Sequence, residues 1–378
     1  MEDTTLYLDH AATTPVRPEA LAAVSAAMEA GHGNASSGHG PGRAARAALE
    51  EARARVAAAI GATPREIVFT SGGTEADNLA VLGRWRAGAG GVAISAVEHS
   101  AVRAPAAAAA REGAALTTLA VDGEGRLDPG GLEEALEQDL AVVSVMWGNN
   151  ETGTLQPVRQ VAELCAARGV PFHTDAVQAV GHVPVRVDEV GCSLLSMSAH
   201  KFGGPPGVGA LFVRAGTSLT PLVSGGGQER GVRAGTSNVP GALGLAVALE
   251  RAVRDLGREA GRLAGLRDRL RTRIEAASPE LHVNGGGADR LPHILSVGLD
   301  GVPADVLMAS LDTAGLAVSA GSACHSGASE PSHVLVAMGR VSDAIVRFSF
   351  GWSSTAADVD RAAATFLEIL ERARAAIA

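Results

Sequence analysis

Apolar and polar positions change their period repeatedly along the chain. Pro18–Ala30 and Gly42–Ile60 have the apolar spacing of helices, the second rich in Ala, Arg and Glu. Glu66–Thr70 reads as a short strand and is followed by a helix from about Thr74 to Ala87. The same rhythm runs through Gly91–Ala96, Ala101–Arg111, Ala115–Val121, Leu132–Glu137 and Leu140–Met146. It continues through Val158–Arg168, Val170–His173, Ser193–Ser198 and Val208–Val213. Strands alternating with helices over roughly 200 residues predict a mainly parallel sheet covered on both faces. Beyond it, Ala242–Ala277 predicts a long connecting helix, and the pattern leaves a break within it open. Strands near His293–Val297, Leu316–Ser319 and Ile345–Phe350 follow, with helices near Pro303–Asp312, Pro331–Ala337 and Thr355–Ala376. That second set predicts a smaller α+β domain.

Composition narrows the function. Of 378 residues 46% are hydrophobic, enough for an extensive interior and incompatible with a disordered chain. Apolar stretches such as Val142–Trp147 and Val239–Leu249 are too short or interrupted to cross a bilayer. The opening Met1-Glu2-Asp3-Thr4-Thr5 is acidic and polar, unlike a secretory or transit peptide, so a cytoplasmic protein without membrane association is expected. A net charge of −9 disfavours nucleic-acid binding, and the arginines between Arg251 and Arg273 are interleaved with Asp255, Glu259, Asp268 and Glu275 as on a solvated helix face. Three cysteines, Cys165, Cys192 and Cys324, argue against a disulfide framework or a four-cysteine metal site.

One count is sharper. Of the 32 basic residues Lys201 is the sole lysine. Arginine replaces lysine in most ion-pair roles, but it offers no neutral amine as a nucleophile. Lys201 is therefore a candidate for amine chemistry, against the plainer reading of a leftover surface residue. It follows an apolar strand in Ser196-Met197-Ser198-Ala199-His200-Lys201, where ligand sites of α/β proteins gather. Its glycines come after the lysine, the reverse of a phosphate-binding Walker loop.

Other strands also end in polar groups. His173-Thr174-Asp175 with Gln178 supplies a carboxylate suited to a pyridinium nitrogen, although a lone Asp there would more simply cap a helix. Thr70-Ser71-Gly72-Gly73-Thr74 forms a glycine turn whose free N–H groups and Thr74 hydroxyl suit a phosphate, a weak signal alone. His99 and the amides of Asn149-Asn150 close two further strands. Cys324 lies in the Ser/Gly run Ser319-Ala320-Gly321-Ser322-Ala323-Cys324, where an exposed thiol hints at nucleophilic use, whereas Cys165 and Cys192 have core surroundings. Arg347 is a charge inside an apolar strand and requires a carboxylate partner, a role a substrate could fill.

With these motifs in place, the chain resembles the cysteine desulfurases of the class V aminotransferase family, from Leu8-Asp9-His10-Ala11-Ala12-Thr13-Thr14-Pro15 to the last helix. TSGGTEADN, WGNNETG, HTDAVQAVG, SAHKFGGPPGVGAL, GGGQERGVRAGT and SAGSAC carry the resemblance in order and spacing. It implies an α/β protein of pyridoxal-phosphate transferase fold type I. A large domain, 15–255, would hold the mainly parallel sheet, and a small α+β domain, 1–14 with 256–378, would hold the nucleophile loop. It implies pyridoxal 5′-phosphate as a Schiff base on Lys201, which would later move the substrate Cα proton. Asp175 would pair with the ring nitrogen, Gln178 with the ring oxygen, and His99 would stack on the ring, beside Asn150. Gly73, Thr74, Ser198 and His200 would hold the phosphate, joined by Thr236 from the second subunit of a homodimer. Asn34 and Arg347 would bind the carboxylate of L-cysteine. Cys324 would take the sulfur as a persulfide, release alanine and deliver sulfur to an iron–sulfur scaffold or a tRNA-thiolation enzyme. Ala320 stands where the family often has serine, and Ala378 follows the last predicted helix directly, where some relatives extend to dock a scaffold. A selenocysteine lyase or other β-eliminating lyase is the alternative within the family. A cofactor-free aldolase would leave Asp175 and Gln178 without purpose, and a sulfur carrier would leave Lys201 without one.

Overall fold

Runs such as Leu140–Ser144 and Leu194–Ser198 are buried along their whole length, the burial of parallel strands covered on both faces. The computed structural model describes residues 5–30, 33–320 and 332–377. In chain order the strands are β1 (Leu6–Tyr7), β2 (Ile67–Thr70), β3 (Gly91–Ser95), β4 (Leu116–Leu119), β5 (Leu140–Ser144) and β6 (Phe172–Asp175). Then come β7 (Leu194–Ser198), β8 (Gly209–Val213), β9 (His282–Val283), β10 (Ile294–Leu299), β11 (Leu316–Ala317) and β12 (Ala344–Ser349). Seven form one sheet in the order β2-β8-β7-β6-β5-β3-β4. Only β8 runs against the others, so the C-terminal ends of β2, β3, β5, β6 and β7 share one edge.

β12-β10-β9 form a separate antiparallel sheet, and β1 pairs in parallel with β11. Leu6 and Leu8 thereby join a second hydrophobic cluster with Leu295, Val297, Phe348 and Phe366, apart from the cluster beneath the large sheet. The helix Val239–Ala277 serves both. Leu245 and Leu249 pack into the first cluster, Leu270 and Ile274 into the second. No break interrupts it. Asn238 caps its start by accepting from the Gly241 N–H at 2.9 Å, and Arg251–Asp255 and Arg271–Glu275 pairs, at 2.6 and 2.8 Å, span successive turns. The helix predicted at Thr74–Ala87 begins at Gly73 and widens into one π turn over Leu79–Gly83. There Thr220 approaches closely, its N–H donating to the Gly83 carbonyl at 2.9 Å, and a Cβ on residue 83 would meet Thr220 O at 2.9 Å.

β2 is an edge strand, and its outer edge is closed by side chains. Glu229 (φ 45°) and Arg230 (φ 59°) both adopt the left-handed region that side chains usually avoid. Arg53 grips Glu229 with two bonds of 2.6 and 2.9 Å, Glu229 accepts from the Phe69 N–H at 3.0 Å, and Arg53 and Arg230 each donate to Ile67 O at 2.8 Å. Both members of the ion pair have side chains only 4% exposed. Arg53→Met, which leaves the Glu229 carboxylate buried without its cation, should lower the unfolding free energy by about 3–5 kcal/mol in denaturant titrations. Arg53→Met/Glu229→Gln should recover most of that loss.

Candidate active site

The shared strand edge opens into a cavity of about 300 Å³. Gly73, Thr74, Ser198 and His200 line it, as do His99, Asn150 and Arg347. So do Asp175, Gln178 and Lys201, so ten of the residues singled out in the sequence, remote from one another along the chain, meet in one space. The turn after β2 is braced: Thr70 donates to Gly72 O at 2.9 Å, and Glu75 accepts from the Ser71 N–H at 2.7 Å while paired with Arg233 at 2.8 Å. Gly73 has no room for a side chain, since a Cβ there would lie 2.7 Å from Val177 Cγ2. This leaves the helix start against the turn that follows Asp175.

Lys201 ends a short 3-10 turn after β7. Its Nζ donates to the carbonyls of Ala11 and Ala12 at 2.6 and 2.7 Å. The same N-terminal strap, residues 9–14, reaches the other functional groups. Ala11 O also accepts from Gln178 Nε2 at 2.8 Å, Thr13 Oγ1 hydrogen-bonds with His200 Nδ1 at 3.1 Å, and Asp9 pairs with Arg347 at 2.7 Å. Arg347, 2% exposed, also donates to Asn150 O at 2.9 Å. The buried arginine of β12 thus has a carboxylate partner inside the chain. No single residue of Leu8-Asp9-His10-Ala11-Ala12-Thr13-Thr14 marks this strap by its own chemistry; only the family resemblance does. Its function is carried largely by backbone carbonyls, which no residue type betrays.

The electrostatics of the cavity favour a bound cation beside Asp175. This carboxylate is 6% exposed, and burial raises its pKa above the usual range, opposed by His99, the Val177 N–H (2.9 Å) and Lys201. Behind it Asp77 and Glu98 are also pushed well up, first by burial and further by the charge of Asp175. His173 beside Asp77 is neutral, its pKa pushed down to about 3 by burial, and its ring nitrogens engage Ser144 Oγ at 2.8 Å and Ser196 Oγ at 3.0 Å. Asp77 Oδ1 has no hydrogen-bond partner among the described residues and lies 3.6 Å from His173 Nε2. A pyridinium N–H at Asp175 would supply the positive charge this acidic interior lacks, so the residues fit the ring of pyridoxal phosphate. His99 caps the helix Ser100–Arg111, its Nδ1 accepting from the Ala101 N–H at 3.1 Å. The proton of the neutral ring therefore sits on Nε2, and burial lowers the pKa of the imidazole.

Two predicted residues do not line this cavity. Thr236 is exposed in the segment that carries Glu229, beside Thr70 and Ser71 but outside the cavity. Asn34 is exposed, and its Oδ1 accepts from the Ser36 N–H at 2.9 Å. Cys324 lies outside the described residues, while Cys165 and Cys192 are buried thiols whose pKa burial pushes up to about 12. Among the described residues no grouping of His, Cys, Asp and Glu is arranged to hold a metal ion, and no helix is long and apolar enough to cross a membrane.

Comparison with known proteins agrees with this geometry. The model of the class V aminotransferase family matches residues 6–362. The cysteine desulfurase IscS of Dictyoglomus turgidum is 43% identical over 373 residues, covering 97% of this chain and 94% of that protein. An IscS-like cysteine desulfurase of Mycobacterium tuberculosis is 43% identical over 383 residues, covering 98% and 97%. Among solved structures, a NifS-like protein from Rickettsia africae superposes with a TM-score of 0.89 at 29% identity, over 97% of this chain and 99% of that one. The mainly parallel sheet is therefore that of a known architecture: the chain belongs to the class V aminotransferases and, within them, to the pyridoxal-phosphate-dependent cysteine desulfurases.

Proposed function

We propose that Lys201 carries the cofactor and that Cys324 receives the sulfur of L-cysteine. One observation carries the assignment of the lysine: the chain's sole lysine opens into the cavity that holds the buried carboxylate of Asp175. Asp175 would hold the ring nitrogen, Gln178 the ring oxygen and His99 the ring face, with Asn150 alongside. Gly73, Thr74, Ser198 and His200 would hold the phosphate through helix-start N–H groups and side-chain donors. When bound, the cofactor supplies an electron sink that weakens the bonds at the substrate's α and β carbons.

The chain's own groups do the rest. Arg347, oriented by Asp9 and Asn150 O, would take the substrate carboxylate, with Asn34 as a second contact. The amine of Lys201, held between two carbonyls, is placed to take the Cα proton and return it. The Cys324 thiolate would attack the substrate sulfur. A sulfur–sulfur bond forms as the carbon–sulfur bond breaks, the carbon gains a proton, and the products are alanine and an enzyme persulfide. We further propose a cytoplasmic homodimer in which Thr236 completes the partner's phosphate site, with an iron–sulfur scaffold or tRNA-thiolation enzyme accepting the sulfur. The exposure of Thr236 outside its own cavity supports the shared site.

Borohydride treatment of the holoenzyme should fix the cofactor on one peptide, the one containing Lys201, and Lys201→Arg should abolish turnover because a guanidinium neither forms the linkage nor shuttles the proton. Label on any other peptide contradicts the assignment. Cys324→Ser should fold and bind cofactor yet release almost no alanine, and mass spectrometry should find persulfide on the Cys324 peptide of wild type after one turnover. Cys165→Ser and Cys192→Ser should retain near wild-type rates, each losing about 1–3 kcal/mol of stability for a buried hydroxyl. Full activity in Cys324→Ser would replace the desulfurase mechanism with direct elimination. Sedimentation at assay concentration should show a dimer, and a fully active monomer would refute the shared phosphate site.

A further inference from the structure

Gln178 is held at both ends of its amide. Its Nε2 lies 2.8 Å from Ala11 O, and its Oε1 lies 3.3 Å from Nε2 of His293. A backbone carbonyl only accepts, so the atom facing Ala11 is the amide nitrogen. The atom facing His293 is then the amide oxygen, which also only accepts, so His293 must carry its proton on Nε2. Nδ1 of His293 has no hydrogen-bond partner among the described residues, as suits a nitrogen without a proton. The ring enters from the start of β10, is 1% exposed, and stacks on His182 with centroids 3.7 Å apart and planes 18° from parallel. His182 belongs to the turn that follows β6, so the stack joins the two hydrophobic units behind the site. Burial, together with His182, His10, Arg347 and Lys201, disfavours a positive charge on His293, which leaves it a neutral donor.

We propose that His293 is a positioning residue for the cofactor ring: by donating from Nε2 to Gln178 Oε1, it keeps the amide nitrogen of Gln178 turned so that its second N–H is available to the ring oxygen. This rests on the reading that Gln178 contacts that oxygen. Ala11 O, whose two lone pairs serve Lys201 and Gln178, holds the amide nitrogen from one side, and His293 holds the amide oxygen from the other with its one proton. Without the imidazole donor the amide is held from one side only and can rotate about its bond to Ala11 O, so its second N–H is no longer fixed on the ring oxygen. An N–H beside that oxygen favours its anionic form, so losing the donor raises the proton affinity of the bound chromophore.

The test is a spectrophotometric pH titration of the bound cofactor in wild type, His293→Met, His293→Asn and Gln178→Leu, with cofactor content and circular dichroism measured alongside. His293→Met should move the midpoint of the colour change upward by about one pH unit, a tenfold change in proton affinity. His293→Asn, which keeps a donor, should return it toward wild type, and Gln178→Leu should shift it at least as far as His293→Met. A wild-type midpoint in His293→Met with a shifted one in Gln178→Leu overturns the role of His293 and leaves that of Gln178 intact. No shift in either overturns both. An Asn variant that shifts like Met also overturns the proposal, because packing rather than the donor would then matter. Nitrogen-15 resonances of the wild-type holoenzyme read the tautomer without any substitution: the Nε2–H form of His293 is expected, and the Nδ1–H form overturns the proposal even if His293→Met does not fold.

Discussion

A carboxylate and an amine stand at the ends of adjacent strands on one cavity, and the rest of the molecule is arranged around keeping them there. Asp175 ends β6, and Lys201 leaves β7 by a single turn. In the low dielectric of this interior an isolated carboxylate is driven towards its neutral form, as the raised pKa of Asp175 shows. Asp77 and Glu98 behind it are driven towards their neutral forms by burial and by the charge of Asp175, and the neutral His173 beside Asp77 adds no charge either. The site is thus prepared for a cationic ring. The sheet supplies the spacing, because neighbouring parallel strands deliver their C-terminal residues to one edge.

The second constraint is the N-terminal strap. Residues 9–14 touch Arg347, Lys201, Gln178 and His200, so four functional side chains drawn from both hydrophobic units are oriented by six consecutive positions. β1 anchors this strap to β11, and Ser349 N–H donates to Leu8 O at 2.7 Å. The small unit therefore contributes twice to the site, through Arg347 on β12 and through the strap. Residues far from the lysine in sequence thus supply the contacts at its amine.

Much of this was legible in the chain. Strand and helix periods located nearly every element, since strands buried on both faces read as continuous apolar runs and the helices carry a clear 3.6-residue stripe. The solitary lysine, the Asp–Gln spacing and the Gly-Gly-Thr turn identified most residues that line the cavity, because each departs from what a structural strand end requires. Element edges were less accurate: β6 covers Phe172–Asp175 rather than Val170–His173, placing Asp175 at the strand's end rather than beyond it. The π turn at Leu79–Gly83, where Thr220 of a distant segment donates to Gly83 O, was also invisible, because no local pattern marks it.

What the sequence determined by itself was residue chemistry: a single amine, two thiols with core surroundings and one without, and carboxylates and imidazoles where apolar strands end. These follow from side-chain type and local period, which are properties of short windows. Only the tertiary structure decided which groups face each other. It paired Arg347 with Asp9, 338 positions away, gave Lys201 the carbonyls of Ala11 and Ala12, and set His293 against Gln178. The reason is physical. Backbone carbonyls are identical in every residue, and a hydrogen bond's partner is chosen by where packing of two hydrophobic cores brings distant segments to rest.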